Sequence, residues 1–159
     1  MLNKKIILGV TGGIAAYKVG ELIRLLKKNG ADIQVVMTKS ATKFVSPLTL
    51  QALSGKPVLE NMWEPSKGNG MEHINQSRAS DLIIIAPASA NFIAKVSQGI
   101  ADDLLTNICL ARNCPLLIAP SMNREMWGNP ATKRNISLIT KDGITISGPD
   151  NGEQACGEE

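Results

Sequence analysis

The sequence predicts a single domain of the α/β class, in which helices cover both faces of a doubly wound parallel sheet. Two observations support this fold class: short aliphatic runs alternate with segments of helical periodicity, and those runs are apolar at nearly every position. Strands of a parallel sheet are buried on both faces, so continuous apolar runs are typical of them. The length of 159 residues fits one domain, which we expect to span residues 1–159.

The first elements form a predicted β-α-β unit. Residues 6–10 are an unbroken aliphatic run that ends at a turn containing Gly12 and Gly13, which favours a buried strand followed by a tight turn. Residues 15–29 follow with apolar positions on one helical face, and residues 33–37 are predicted as a second strand. A strand, a glycine turn, a helix and a strand in this order are the pattern of that motif.

The alternation continues along the chain. The later predicted elements are a helix over 46–53, strands over 82–86, 116–119 and 144–147, and helices over 91–98, 102–112, 123–127 and 130–141. Residues 63–70 are expected to form a surface loop and residues 148–159 an irregular tail. We expect Cys109 and Cys114 to pack within this framework, and Met126 and Trp127 to lie in the core.

Composition excludes several function classes. Aromatic residues make up 3% of the chain and the net charge of +3 is scattered, so neither stacking platforms nor a basic stripe suggest a nucleic-acid partner. No stretch approaches the ~20 apolar residues of a membrane helix, so no membrane partner is expected. Three cysteines without a CxxC pair or a secretory signal indicate reduced thiols in the cytoplasm. The single histidine, His73, and the lack of zinc-like Cys/His spacing predict no metal site.

The turns that follow the predicted strands carry small or polar residues. Ligands of open parallel sheets bind at the carboxyl ends of the strands, so these turns are the candidate site. The residues concerned are Gly12 and Gly13 after the first strand, Thr38 and Ser40 after the second, Ser89 and Asn91 after the third, and Ser121 and Asn123 after the fourth.

The same turns limit the class of ligand. They match neither the G-x-G-x-x-G nor the G-x-x-x-x-G-K-[ST] fingerprint. Hydroxyls at Thr38 and Ser40 stand where nicotinamide-binding domains carry an acidic residue for the adenosine ribose. An anionic ligand with polar edges, such as flavin mononucleotide (FMN), suits these groups. The alternatives are a purely structural glycine turn and helix capping by Ser89 or Asn91.

Six segments together resemble the homo-oligomeric flavin-containing cysteine decarboxylases. The resemblance runs in order along the whole chain, and its P-x-M-N-x-x-M-W and A-C-G-E elements are specific to that group. The segments are T-G-G-I-A-A-Y-K at 11–18, G-M-E-H-I at 70–74, A-P-A-S-A-N at 86–91, G-I-A-D-D-L-L-T at 99–106, P-S-M-N-R-E-M-W at 120–127 and A-C-G-E at 155–158.

The resemblance implies a Rossmann-like (flavodoxin-like) fold and a set of site residues. His73, Asn123 and Cys156 would be catalytic, and Asn123 and Met122 would bind the substrate. FMN would be bound by Gly12, Gly13, Ile14, Ala15, Thr38, Ser40, Ser89, Ala90, Asn91 and Ser121.

The implied activity is the decarboxylation of 4′-phosphopantothenoylcysteine to 4′-phosphopantetheine on the route to coenzyme A. Oxidation of the cysteine thiol to a thioaldehyde would create an electron sink, CO₂ would leave, and the resulting enethiolate would be reduced again. In this scheme His73 assists proton removal, Asn123 orients the carboxylate and Cys156 donates a proton.

The resemblance also implies partners. These are a small-molecule substrate, further copies of the chain in trimers that can assemble into dodecamers, and a fused or separate synthetase domain. Residues 148–159 would form a substrate flap, which we expect to be truncated in this sequence. Two alternatives stay open: a peptidyl-cysteine decarboxylase with the same site residues, and a non-catalytic flavin-binding regulatory subunit.

Overall fold

The computed structural model describes residues 2–63 and 72–150, and in that part of the chain five parallel strands form one sheet. The strands are β1 (Lys5–Val10), β2 (Asp32–Met37), β3 (Leu82–Ala88), β4 (Leu116–Pro120) and β5 (Thr145–Ile146). Their order across the sheet is β2-β1-β3-β4-β5, and every neighbouring pair is parallel. The predicted doubly wound parallel sheet is confirmed, in its flavodoxin-like strand order.

Helices connect these strands. A 3₁₀ helix (Ile14–Lys18) leads directly into α1 (Val19–Lys28), and a second 3₁₀ helix spans Ala41–Lys43. The remaining helices are α2 (Pro47–Ser54), α3 (Glu72–Ala79), α4 (Ala90–Gln98), α5 (Leu104–Leu110), α6 (Arg124–Gly128) and α7 (Pro130–Lys141). Within the described residues no helix is long and apolar enough to cross a membrane.

Several predicted bounds differ from the observed ones for local reasons. The helix predicted from residue 15 begins as a 3₁₀ turn, and the helix predicted over 102–112 is confined to α5. Asp103 caps α5, because its carboxylate accepts from the backbone N–H of Thr106 at 2.8 Å while the Thr106 hydroxyl accepts from the N–H of Asp103 at 3.1 Å. Helix α3 has no predicted counterpart. Residues 64–70 of the predicted loop lie outside the described residues.

Two hydrophobic cores cover the two faces of the sheet. Along β1, Leu8 belongs to the core that α1 and α2 close, and Ile7 belongs to the core that α4, α5 and α7 close. This alternation follows from the period of two in a strand. The chain winds one way from β1 to β2 and the other way from β3 to β5, so the winding reverses between β1 and β3. At such a reversal the connections diverge and leave a crevice at the carboxyl ends of the strands.

Candidate active site

A cleft of about 1350 Å³ opens at the carboxyl edge of the sheet. Four turns line it, those that follow β1, β3, β4 and β5. Typical small-molecule pockets measure roughly 300–1,000 Å³, so this cleft has room for a cofactor and a substrate together. Its position is the one that the sequence predicts for a ligand.

The structure brings nine of the predicted site residues together at this cleft. They are Gly12, Gly13, Ile14, Ala15, Ser89, Ala90, Ser121, Met122 and Asn123. Thr38, Ser40 and Asn91 do not line it. The side chain of His73, which belongs to α3, and the whole of Cys156 lie outside the described residues.

Ser40 lies behind the first turn of the cleft, and Thr38 holds the turn after β2. The Thr38 hydroxyl accepts a hydrogen bond from the backbone N–H of Ala41 at 3.2 Å. A Cβ atom added to Gly12 would lie 2.5 Å from the Cβ of Ser40, which no real structure accommodates without a shift. Only glycine therefore allows the turn after β1 to pack this closely on the turn after β2.

Gly13 has the opposite environment. A Cβ atom added there would meet no atom within 4 Å, and the backbone is extended, with φ −179°. Neither packing within the described residues nor backbone strain therefore requires glycine at this position. Because Gly13 lines the cleft, a small residue here leaves the backbone accessible to a bound molecule.

The turns after β3 and β4 are fixed by hydrogen bonds. Ser89 caps α4, and its hydroxyl accepts from the backbone N–H of Phe92 at 3.1 Å, so the expected capping role is confirmed for this residue. The N–H of Ser121 donates to the carbonyl of Ala88 at 3.0 Å and ties the two turns together. Ser89 and Ser121 both line the cleft.

Asn123 caps α6 at the rim of the cleft. Its Oδ1 atom accepts from the backbone N–H of Met126 at 2.8 Å, which assigns the orientation of the side-chain amide. The amide nitrogen Nδ2 is thus the end that can donate to a ligand. Asn123 is exposed, so this donor is accessible.

The expectation that Met126 and Trp127 lie in the core is wrong. Met126 is 46% exposed, Trp127 is half-buried, and both line the cleft. Helix α6 has five residues and no buried member, so it forms a wall of the cleft and does not pack across the sheet. The ammonium of Lys133 lies 4.2 Å from the ring centroid of Trp127, a cation–π contact that braces this wall from α7.

The charged residues that line the cleft were not identified from the sequence. Lys18 and Arg124 line it with the single carboxylate of Asp150, so the described lining carries one net positive charge. Both cations stand in the quoted motifs, but nothing in their spacing separates a ligand-facing cation from a solvated one. The charge balance favours an anionic ligand.

Neither of the two described cysteines has the environment of a reactive thiol. Cys109 is 2% exposed within the core, and burial raises the pKa of its thiol to about 12. Burial also raises the pKa of Cys114 above its ordinary value, with Arg112 opposing the shift. Since the thiolate is the reactive form, neither residue is poised for chemistry, and neither lines the cleft.

The chain belongs to the flavoprotein family. Its sequence matches the family model described as Flavoprotein over residues 1–159.

The chain is similar to the coenzyme A biosynthesis bifunctional protein CoaBC. It is 48% identical to CoaBC of Vibrio vulnificus (strain YJ016) over 158 residues, which are 99% of this chain and 39% of that protein. Identity to CoaBC of Escherichia coli (strain K12) is 47%, with the same coverage, and to CoaBC of Bacillus subtilis (strain 168) it is 46%, over 98% of this chain and 38% of that protein. The chain thus spans about two fifths of these relatives.

Several solved structures of similar fold are named as decarboxylases. A cysteine-to-serine variant of PPC decarboxylase complexed with pantothenoylaminoethenethiol superposes with a TM-score of 0.85 at 33% identity, covering 98% of this chain and 87% of that one. The FMN-dependent cysteine decarboxylase SpaF gives a TM-score of 0.85 at 37% identity, covering 90% and 82%. The peptidyl-cysteine decarboxylase EpiD gives 0.82 at 30% identity, covering 94% and 88%.

Proposed function

We propose that this chain binds FMN and decarboxylates 4′-phosphopantothenoylcysteine to 4′-phosphopantetheine, a step toward coenzyme A. The observation that carries the proposal is the cleft at the reversal of the sheet in a chain of the flavoprotein family. Its lining includes most of the residues expected to bind a flavin and, at its rim, a side-chain amide with a free donor end.

The residues of the cleft suit FMN. The open position at Gly13 allows a ligand to approach the backbone, and the hydroxyls of Ser89 and Ser121 can bond to polar edges. Lys18 and Arg124 favour a phosphate. We propose that Thr38 and Ser40 support the turn at Gly12 from behind, and that Ile14, Ala15, Ala90 and Asn91 complete the surroundings of the cofactor. The chemistry that FMN supplies when bound is reversible two-electron transfer, which protein side chains do not provide.

Asn123 is the proposed anchor for the substrate carboxylate. With Oδ1 held by the N–H of Met126, Nδ2 can donate to a carboxylate oxygen and hold the scissile carbon–carbon bond in one orientation. Met122, which also lines the cleft, would contact the apolar part of the substrate. His73 and Cys156 are proposed to move protons, His73 during thiol oxidation and Cys156 in the final step, because both stand in the family motifs.

A peptide substrate is the alternative that sequence reasoning left open. Identity to the CoaBC proteins is 46–48%, whereas identity to SpaF and EpiD, which are named as cysteine decarboxylases, is 37% and 30%. The difference favours the small-molecule substrate, since the fold alone does not separate the two groups.

The test of this proposal is an assay with both substrates. We expect the purified protein to show the visible absorbance of bound flavin and to release CO₂ from 4′-phosphopantothenoylcysteine. A peptide that ends in cysteine should give at least ~100-fold lower kcat/KM, because a clamp that binds one substrate leaves polar groups unpaired with the other. A flavin-free protein that takes up no FMN would refute the cofactor, and a preference for the peptide would refute the substrate.

We propose that copies of the chain associate in trimers, or in dodecamers assembled from trimers. Ile14 and Tyr17, which line the cleft, are 59% and 69% exposed, and a neighbouring copy would cover them. Light scattering of the protein as it elutes from a size-exclusion column should give a mass at least three times that of one chain. A monomeric mass at micromolar concentration contradicts this assembly.

Three further points stay predictions. Residues 148–159 are proposed as a flap over the substrate. A synthetase domain is proposed to accompany the chain, since the similar CoaBC proteins are named bifunctional and are more than twice as long. A cytoplasmic location is proposed from the composition and the reduced cysteines.

A further inference from the structure

The side chain of Thr11 lies between the turn after β1 and the turn after β3. Thr11 is 1% exposed, so its hydroxyl is shielded from solvent and from the cleft. The hydroxyl donates to the backbone carbonyl of Pro87 at 2.6 Å and accepts from the backbone N–H of Ser89 at 2.9 Å. Its two partners are 76 and 78 residues away in sequence.

The Thr11 hydroxyl makes hydrogen bonds between the two segments beyond the point where the backbone pairing of β1 and β3 ends. The paired residues of β1 and β3 end at Gly9 and Ile85. Pro87 has no N–H group, so the regular pattern cannot continue through it. The N–H of Thr11 reaches the carbonyl of Pro87 only at 3.3 Å, and the hydroxyl adds a shorter bond to the same oxygen. It also satisfies the N–H of Ser89, which the interrupted ladder would otherwise leave without a partner.

The two turns that Thr11 joins are neighbouring parts of the cleft lining. Gly12 and Gly13 follow Thr11 directly, and Ser89 caps α4. The turns after β3 and β4 are joined by the hydrogen bond from the N–H of Ser121 to the carbonyl of Ala88, which involves backbone atoms alone. Of these links between turns, only the two hydrogen bonds of the Thr11 hydroxyl depend on a side chain, so they are the ones that a substitution can remove.

We propose that Thr11 is a positioning residue for the flavin: its hydroxyl holds the turns after β1 and β3 at the separation that FMN binding requires. This inference rests on the proposed function. The hydroxyl donates its one proton to Pro87 and is buried, so it acts through Gly13 and Ser89 and not by touching the ligand.

The experiment compares Thr11→Val and Thr11→Ser with the unaltered protein by titrating each apoprotein with FMN and following flavin fluorescence. Thr11→Val keeps the shape of the side chain but removes both hydrogen bonds. We expect its Kd for FMN to rise at least ~10-fold, because a lost buried hydrogen bond with an unpaired partner costs about that factor. Thr11→Ser keeps the hydroxyl, and its Kd should stay within about threefold of the unaltered protein.

Thr106→Val is the matched control. Thr106 is also 1% exposed and uses its hydroxyl twice, but in the cap of α5 and away from the cleft. This control should lower the melting temperature and leave the Kd for FMN unchanged.

The outcomes separate the inference from the proposed function. An unaltered Kd in Thr11→Val overturns the inference, as does a Kd in Thr11→Ser that rises at least ~10-fold. An equal rise in Thr106→Val also overturns it, because the effect would then follow stability alone. If the unaltered protein itself takes up no FMN, the proposed function fails first. Should Thr11→Val not fold, Thr11→Ser is compared with Thr106→Ser, since each keeps its hydrogen bonds and loses one methyl group. A Kd that stays within about threefold in Thr11→Ser supports the inference, and a Kd raised at least ~10-fold by Thr11→Ser alone overturns it.

Discussion

Asn123→Asp is expected to reduce kcat/KM for 4′-phosphopantothenoylcysteine by at least ~100-fold while the protein keeps its fold and its FMN. The change replaces the Nδ2 donor by a carboxylate oxygen, so a charge-assisted hydrogen bond to the substrate becomes a repulsion between two carboxylates. Losing such a bond costs about 1.5–3 kcal/mol, and the repulsion adds about 1–4 kcal/mol at 4 Å. Steady-state CO₂ release measures the loss, and flavin absorbance checks the cofactor.

The substitution isolates this role because aspartate is as good a helix cap as asparagine. The Oδ1 acceptor for the N–H of Met126 is kept, and a negative charge at the start of α6 is favourable to the helix. Asn129→Asp is the matched control: Asn129 caps α7 through the N–H of Ala131 at 2.9 Å and does not line the cleft. It should keep full activity. Full activity in Asn123→Asp would remove Asn123 from carboxylate binding.

The strands and most helices could be predicted from the sequence because their signals are local. An aliphatic run such as residues 6–10 identifies a buried strand by itself, and Ser89 before α4 is an ordinary cap. Helix α3 was missed because Ile74 is its one large aliphatic residue, so no apolar periodicity appears. The order of the strands is a matter of long-range pairing and has no local signal.

The candidate site was likewise predictable only where its signal in the sequence is local. The turns could be located from the ends of the predicted strands, since all parallel strands end at one edge. What each turn residue does depends on neighbours far away in sequence. Thr38 and Ser40 follow a strand in the expected way, but neither lines the cleft, and Ser40 lies behind Gly12. Trp127 is a large aromatic residue of a kind that is often buried. Nothing in the sequence shows that Lys133 contacts its ring at the surface.

Gly13→Ala is expected to raise the stability of the apoprotein and to weaken FMN binding about 10- to 100-fold. The added methyl meets no atom of the described residues within 4 Å, and the extended backbone accepts alanine. Loss of glycine flexibility in the unfolded chain should therefore stabilise the fold by about 0.4–1 kcal/mol. The same methyl would occupy space that the ligand needs, and crowding of this kind costs about 1–3 kcal/mol. Thermal unfolding without FMN and titration with FMN measure the two effects separately.

Gly128→Ala is the control that keeps these effects apart. A Cβ atom there also meets no atom within 4 Å, but Gly128 ends α6 and does not line the cleft. Alanine should stabilise the protein, as at Gly13, and leave the Kd for FMN unchanged. If alanine raises stability at both positions but lowers the affinity for FMN only at Gly13, then a bound molecule is what requires glycine there. An unchanged Kd in Gly13→Ala would mean that FMN does not approach the turn after β1, and the cofactor would have to bind elsewhere in the cleft.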